Sequence, residues 1–195
     1  MILSPFRLLS WLLGLIVIGA PVAAVAFFLL AIVGSPGACD SQGREVIADL
    51  SGAASFQEKW DDMNDTLDAG QPSSATFSEG EATSRAQLWV EQHDAPVSDL
   101  KLCFNIDGGS GSAKVDVPFF PGDVDVLVHG TLDLTGEKPV ADIDNVEMGN
   151  LPGPAAGIVE NFITRLIDNE TDDVTLGHDY GIEFGEGEIT ISGQP

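Results

Sequence analysis

Basic residues are scarce in this chain: eight Lys and Arg stand against 31 Asp and Glu, and Arg7 is the only charge before residue 40. A net charge of −23 at pH 7 repels phosphate backbones and anionic surfaces, which argues against a nucleic-acid partner. The short signatures of common chemistries are also missing. The sequence has no HExxH, CxxC or GxSxG, and no Gly-rich loop between a strand and a helix. The segment GSGS at 109–112 has no Lys-Ser or Lys-Thr behind it, so it is no phosphate cradle. His93, His129 and His178 lie far apart, none with a partner at metal-ligand spacing. No metal, cofactor or catalytic residue is therefore expected, and the chain is read as non-enzymatic. The carboxylate pairs Asp123 with Asp125 and Asp142 with Asp144 each share one face of a strand, but such pairs arise easily among 31 acids. A solvated face is the expectation there, because a calcium loop demands far more oxygen ligands.

What the N-terminus does have is a long apolar run. Residues 8–33 carry no charge, and the run exceeds the roughly 20 residues of a spanning helix. A cleaved signal peptide would have an apolar core of only about 7 to 15 residues. The run therefore predicts an uncleaved, single-pass transmembrane helix, a signal-anchor, in which Pro21 is tolerated because neighbouring groups take up the freed carbonyl. Arg7 before the span and the acidic sequence after it put the N-terminus in the cytoplasm and the rest outside the cell membrane. A lipid-anchored alternative, with Cys39 as a lipoprotein cysteine, is disfavoured by Pro36 three residues before it. The expected organisation is an anchor over 1–34, a linker and amphipathic stalk helix over 35–76, and one α+β domain over 77–195.

Along the chain, Val46, Ile47, Leu50, Ala53, Phe56, Trp60, Met63 and Leu67 recur at three- and four-residue steps, the stripe of a helix that Gly52 weakens. Residues 70–76 read as a loop, and SEGE from Ser78 to Glu81 reads as a capping box opening a second helix that stops near His93 to Pro96. From Val97 the period becomes two, with Leu100, Leu102, Phe104 and Ile106 on one side of a strand. DGGSGS at 107–112 is predicted to be a hairpin turn, followed by a short strand AKVDV. A long strand then places Val124, Val126, Val128, Leu132 and Leu134 on one face, with a bend at Gly130. The next strand, from Val140 towards Met148, changes its apolar parity near Asp144 and Asn145, the mark of a bulge. Ile158, Val159, Phe162, Ile163, Leu166 and Ile167 form the clearest amphipathic helix, and two strands around 174–184 and 188–192 close the chain. The alternation turns Cys103 away from Leu102 and Phe104, so two states are open: a disulfide with Cys39, or two unpaired thiols.

The phrases TFSEGEATS, GNLPGP and EGEITISG, in this order of elements, resemble the LmeA-like group of bacterial cell-envelope proteins, which is similar to the tubular lipid-binding superfamily. The resemblance runs from about Ala75 to Gly193. It implies a curved antiparallel sheet packed around a long helix with an apolar groove for lipid, and it carries over no catalytic residue. The present chain departs from the group in being anchored and in being much more acidic. On this basis the expected function is non-catalytic, extracytoplasmic binding of a lipid or other apolar ligand. Phe119, Phe120, Val126, Val128, Leu132, Phe162 and Leu166 are the candidate lining. The alternative is an envelope interaction or scaffold protein whose core is filled.

Overall fold

The computed structural model describes residues 44–117, 122–149, 157, 159–162, 164–165 and 175–195. The span expected over 8–33 and Cys39 lie outside the described residues. Among the described residues no helix is long and apolar enough to cross a membrane.

The first helix, α1 (Leu50–Asp68), starts where Asp49 accepts a hydrogen bond from the Gly52 amide at 2.7 Å, leaving Val46 and Ile47 outside it. The stripe read from the sequence is accordingly shorter at its start: Ile47 and Leu50 are 68% and 79% exposed, whereas Met63 and Leu67 are buried. Gly52, expected as a weak point, is a contact. A Cβ there would meet the Ser84 hydroxyl at 2.6 Å, so its absence lets the next helix approach.

Residues 73–78, expected within or beside a loop, form strand β1 (Ser73–Ser78), which pairs antiparallel with the last strand of the chain. Local composition hid it, because Ser and Pro favour turns, while its pairing partner lies more than 100 residues away. The boundary expected at 76/77 falls inside this strand. The second helix, α2 (Glu79–Gln92), opens on the capping box as read: the Glu81 amide donates to Ser78 Oγ at 3.2 Å, and the Ser78 amide donates to Glu81 Oε2 at 2.9 Å.

Four strands follow as an antiparallel meander: β2 (Val97–Asn105), β3 (Gly108–Val115), β4 (Val124–Asp133) and β5 (Val140–Met148). The predicted turn GGSGS is in fact the first half of β3, and the turn shrinks to Ile106 and Asp107. Its first glycine suits the strand: Gly108 has a φ of 142°, and a Cβ there would press on the Gly130 carbonyl oxygen at 3.0 Å. Ile106, expected inside, is 71% exposed in that turn. The β5 bulge is where parity placed it. His129 pairs with Asn145 and Gly130 with Ile143, so Asp144 is the extra residue. A second bulge interrupts β2 between Ser98 and Lys101, where Asp99 adopts a positive φ of 51° and bridges to Lys114 at 2.5 Å. Residues 157, 159–162 and 164–165 are helical. The closing hairpin is β6 (Tyr180–Gly185) and β7 (Glu188–Gly193), and β7 lies between β1 and β6 in a three-stranded sheet.

The protein is thus α+β with antiparallel sheets. One core gathers Met63, Leu67, Phe77, Phe104, Leu134, Tyr180, Ile189 and Ile191, so α1 is packed into the same unit as the C-terminal hairpin. A second gathers Val115, Val117, Val126 and Val159.

Candidate functional site

The apolar face of β4 is where the sequence placed a binding wall, and the pleat does keep one parity from Val124 to Leu134 because the bulge opposite falls on β5. Gly130 interrupts that face. A Cβ there would lie 2.3 Å from the Asp142 carbonyl oxygen, so only glycine lets β5 pass this close. On one side of Gly130, Val126 and Val128 meet Val159 and Phe162. On the other, Leu132 and Leu134 join the aromatic core with Tyr180 and Phe104.

Of the seven candidate lining residues, then, Val126, Val128 and Phe162 come together at a seam between sheet and helix. Leu132 does not join them, since its place past Gly130 turns it to the other core. Phe119, Phe120 and Leu166 lie outside the described residues. At the centre of the seam Val126 is 3% and Val159 0% exposed. Around them Val97, Val124, Val128, Val146, Met148 and Phe162 are only partly buried. The described side chains that meet here are apolar, and what they can do is bury apolar surface.

The charged side chains that are well held lie elsewhere. Glu79 is 6% exposed and accepts from the Phe104 amide at 2.8 Å, while Arg44 binds it at 3.0 Å and reaches Glu186 at 2.9 Å and the Phe104 carbonyl at 3.0 Å. The Glu79 hydrogen bond, offset in part by desolvation, raises the Arg44 pKa further above its ordinary value. Sequence periodicity could not find this clamp, because Arg44 precedes any helix and Glu79 looked like one more acid of a capping box. Next to Phe104, Cys103 is disulfide-bonded, and Cys39 is the chain's other cysteine. Alternation had turned Cys103 outward. It is instead 5% exposed, on the face that also buries Ser112 and Leu127. The clamp fixes Arg44 to the start of α2 and to the end of β2.

Burial raises the pKa of Glu81, but bonds from Lys59, Ser55 and Ser78 overcome it and bring the value down to about 2. This carboxylate joins α1, β1 and α2. The three histidines lie in three separate settings. His93 stacks on Trp89 at 4.3 Å, His129 lies 3.8 Å from Glu147, and His178 is 3.0 Å from Asp68. Among the described residues no three His, Cys, Asp or Glu side chains gather as metal ligands. Asp142 and Asp144 are both exposed, and Lys114 stands in register with Asp125.

In comparison with known proteins, the chain matches no family model, no curated protein and no solved structure.

Proposed function

We propose that this chain is a membrane-tethered, extracytoplasmic, non-catalytic protein that binds a lipid or other apolar ligand between its four-stranded sheet and the helix around 157–165. One observation supports this most: at that seam six partly buried apolar side chains ring a small buried centre of four valines. Such a rim loses less contact with water than a closed core would, and an acyl chain laid along it would complete the burial. The uncharged run over 8–33 supports a single-pass anchor with the N-terminus in the cytoplasm. The resemblance to LmeA-like envelope proteins and the tubular lipid-binding superfamily, which implies a curved sheet around a long helix, points the same way.

A second reading rests on the burial of Val126 and Val159, which is that of an ordinary core: an envelope scaffold with a filled interior. One substitution separates the two. With space at the seam, Val128→Phe blocks uptake of a fluorescent fatty acid and leaves stability nearly unchanged. In a packed core it destabilises by about 1 to 3 kcal/mol. Uptake measured on the full chain in neutral detergent, alongside urea unfolding, decides between them. A wild-type protein that takes up no probe, together with early unfolding of Val128→Phe, overturns the lipid reading in favour of the scaffold.

A further inference from the structure

We propose that the free edge of β1 takes up an extended, Lys- or Arg-bearing segment of a partner protein as an added strand. This inference is independent of the apolar seam. Among the described residues β1 is an outer strand of the three-stranded sheet, bonded to β7 on one side only. Two contacts show which of its backbone groups face away from β7. The Thr76 carbonyl accepts from Lys59 Nζ at 2.9 Å, and the Ser78 amide donates to Glu81 at 2.9 Å. The hydroxyls of Thr76 and Thr190 lie 2.9 Å apart, as suits the close, non-hydrogen-bonded pairs of an antiparallel ladder. By the period of two, the Ser74 amide and carbonyl and the Thr76 amide point outward as well. Pro72, without an N–H, closes the edge at one end, and Lys59 with Glu81 closes it at the other. What is left is a short window of main-chain groups with no partner among the described residues.

That window borders a depression of about 320 Å³ between β1 and α1, lined by Ser73, Ala75, Lys59, Asp62, Met63 and Thr66. An edge strand beside a helix is the geometry in which an extended peptide adds to a sheet, the main chain giving affinity and alternate side chains giving selectivity. The inward side chains of such a peptide must be small or apolar, because Ala75 and buried Met63 form the floor. Charge complementarity sets the rest. Lys59 is already neutralised by Glu81 at 2.7 Å, whereas Glu58, Asp61, Asp62 and Asp65 are exposed along α1. A second copy of this chain, at −23, would be repelled from the same surface.

The test uses the full chain in neutral detergent and three labelled hexapeptides: alternating Lys-Val, alternating Glu-Val, and the Lys-Val peptide N-methylated throughout. Fluorescence anisotropy gives affinity, and hydrogen exchange reports the Ser74 and Thr76 amides. The expected result is binding of the Lys-Val peptide with slowed exchange at both amides. Binding should be at least about tenfold weaker for the acidic peptide and for the methylated one, which cannot donate main-chain bonds. Asp62→Lys, an exposed change, should weaken binding about threefold to tenfold without moving the unfolding midpoint. Equal binding of the methylated peptide would reduce the effect to charge adsorption and overturn the proposal. So would unchanged exchange at Ser74 and Thr76, or protection that appears without peptide as the protein dimerises.

Discussion

The two cores of this molecule are built from different side chains and held by different means. The one under the three-stranded sheet is aromatic: Phe56 packs on Phe77 at 4.3 Å, Trp60 on Tyr180 at 5.3 Å and Phe104 near Phe184 at 6.1 Å. Ion pairs surround it, with Arg44 on Glu79 and Lys59 on Glu81, and Thr83 ties α2 to β2 through the Leu102 amide at 2.9 Å. The core under the four-stranded sheet is mostly valine, has Phe162 as its aromatic among the described residues, and is rimmed by partly exposed apolar groups. Large interlocked rings make a site that tolerates little change, whereas small β-branched residues on a sheet make a smooth surface that one more apolar body can join. The division of labour follows: the aromatic half gathers Arg44, α1, α2 and the C-terminal hairpin, and the valine half carries the proposed ligand seam.

The largest break in that comparison comes from the aromatic side. Phe77 is fully buried between Phe56 and the Lys59 ammonium, which lies 5.9 Å from its ring centre. Phe77→Ala is expected to cost about 3 to 5 kcal/mol in urea unfolding, a large share of what a domain of this size has to lose. It should expose the α1 amides to exchange while leaving Val128 and Phe162 in contact, if the halves are as separate as their packing indicates. Smaller, and at the border of the two cores, is Gly130→Ala. A methyl group 2.3 Å from the Asp142 carbonyl forces β4 and β5 apart, at about 1 to 3 kcal/mol, with faster exchange on both sides of the bulge.

Local signals in the sequence reached far into this structure where the cause is local. The capping box at Ser78 and Glu81, the start of β2 at Val97 and the parity break at Asp144 each depend on neighbours within a few residues, and each was legible. What depends on distant chain was not. Strand β1 is specified by pairing with β7, and GGSGS is a strand because β2 and β4 flank it on both sides. The proposed seam was half legible, since alternation put Val126, Val128 and Leu132 on one face. It could not tell that Gly130 divides that face between two cores. Arg44 left no trace at all, because a single cation in a turn-rich segment has no period to betray its partner 35 residues on.

The smallest expected effect tests how far the aromatic half depends on charge. Glu81 has a pKa brought down to about 2 by Lys59, Ser55 and Ser78 against the pull of burial. A carboxylate whose folded pKa lies below its unfolded value contributes stability that is fully present above the unfolded pKa, near 4.5, and is lost as the pH falls towards 2. Glu81→Gln keeps a side chain that can still cap the Ser78 amide, so it removes the negative charge that pairs with Lys59 more than the cap itself. At pH 7 the substitution is expected to cost about 1 to 2 kcal/mol. At pH 2 the wild-type carboxyl is itself half protonated, and the two proteins should differ much less. Asp49, whose pKa is lowered by the Ser51 hydroxyl and the Gly52 amide, contributes its own acid limb, but equally in both proteins, so it cancels in the difference. Urea unfolding of the pair at pH 7, 4 and 2 reads this directly. A gap that stays constant with pH would mean that Glu81 acts through shape and hydrogen bonding alone, and that the ion pair with Lys59 adds nothing to the half of the molecule that holds the fold.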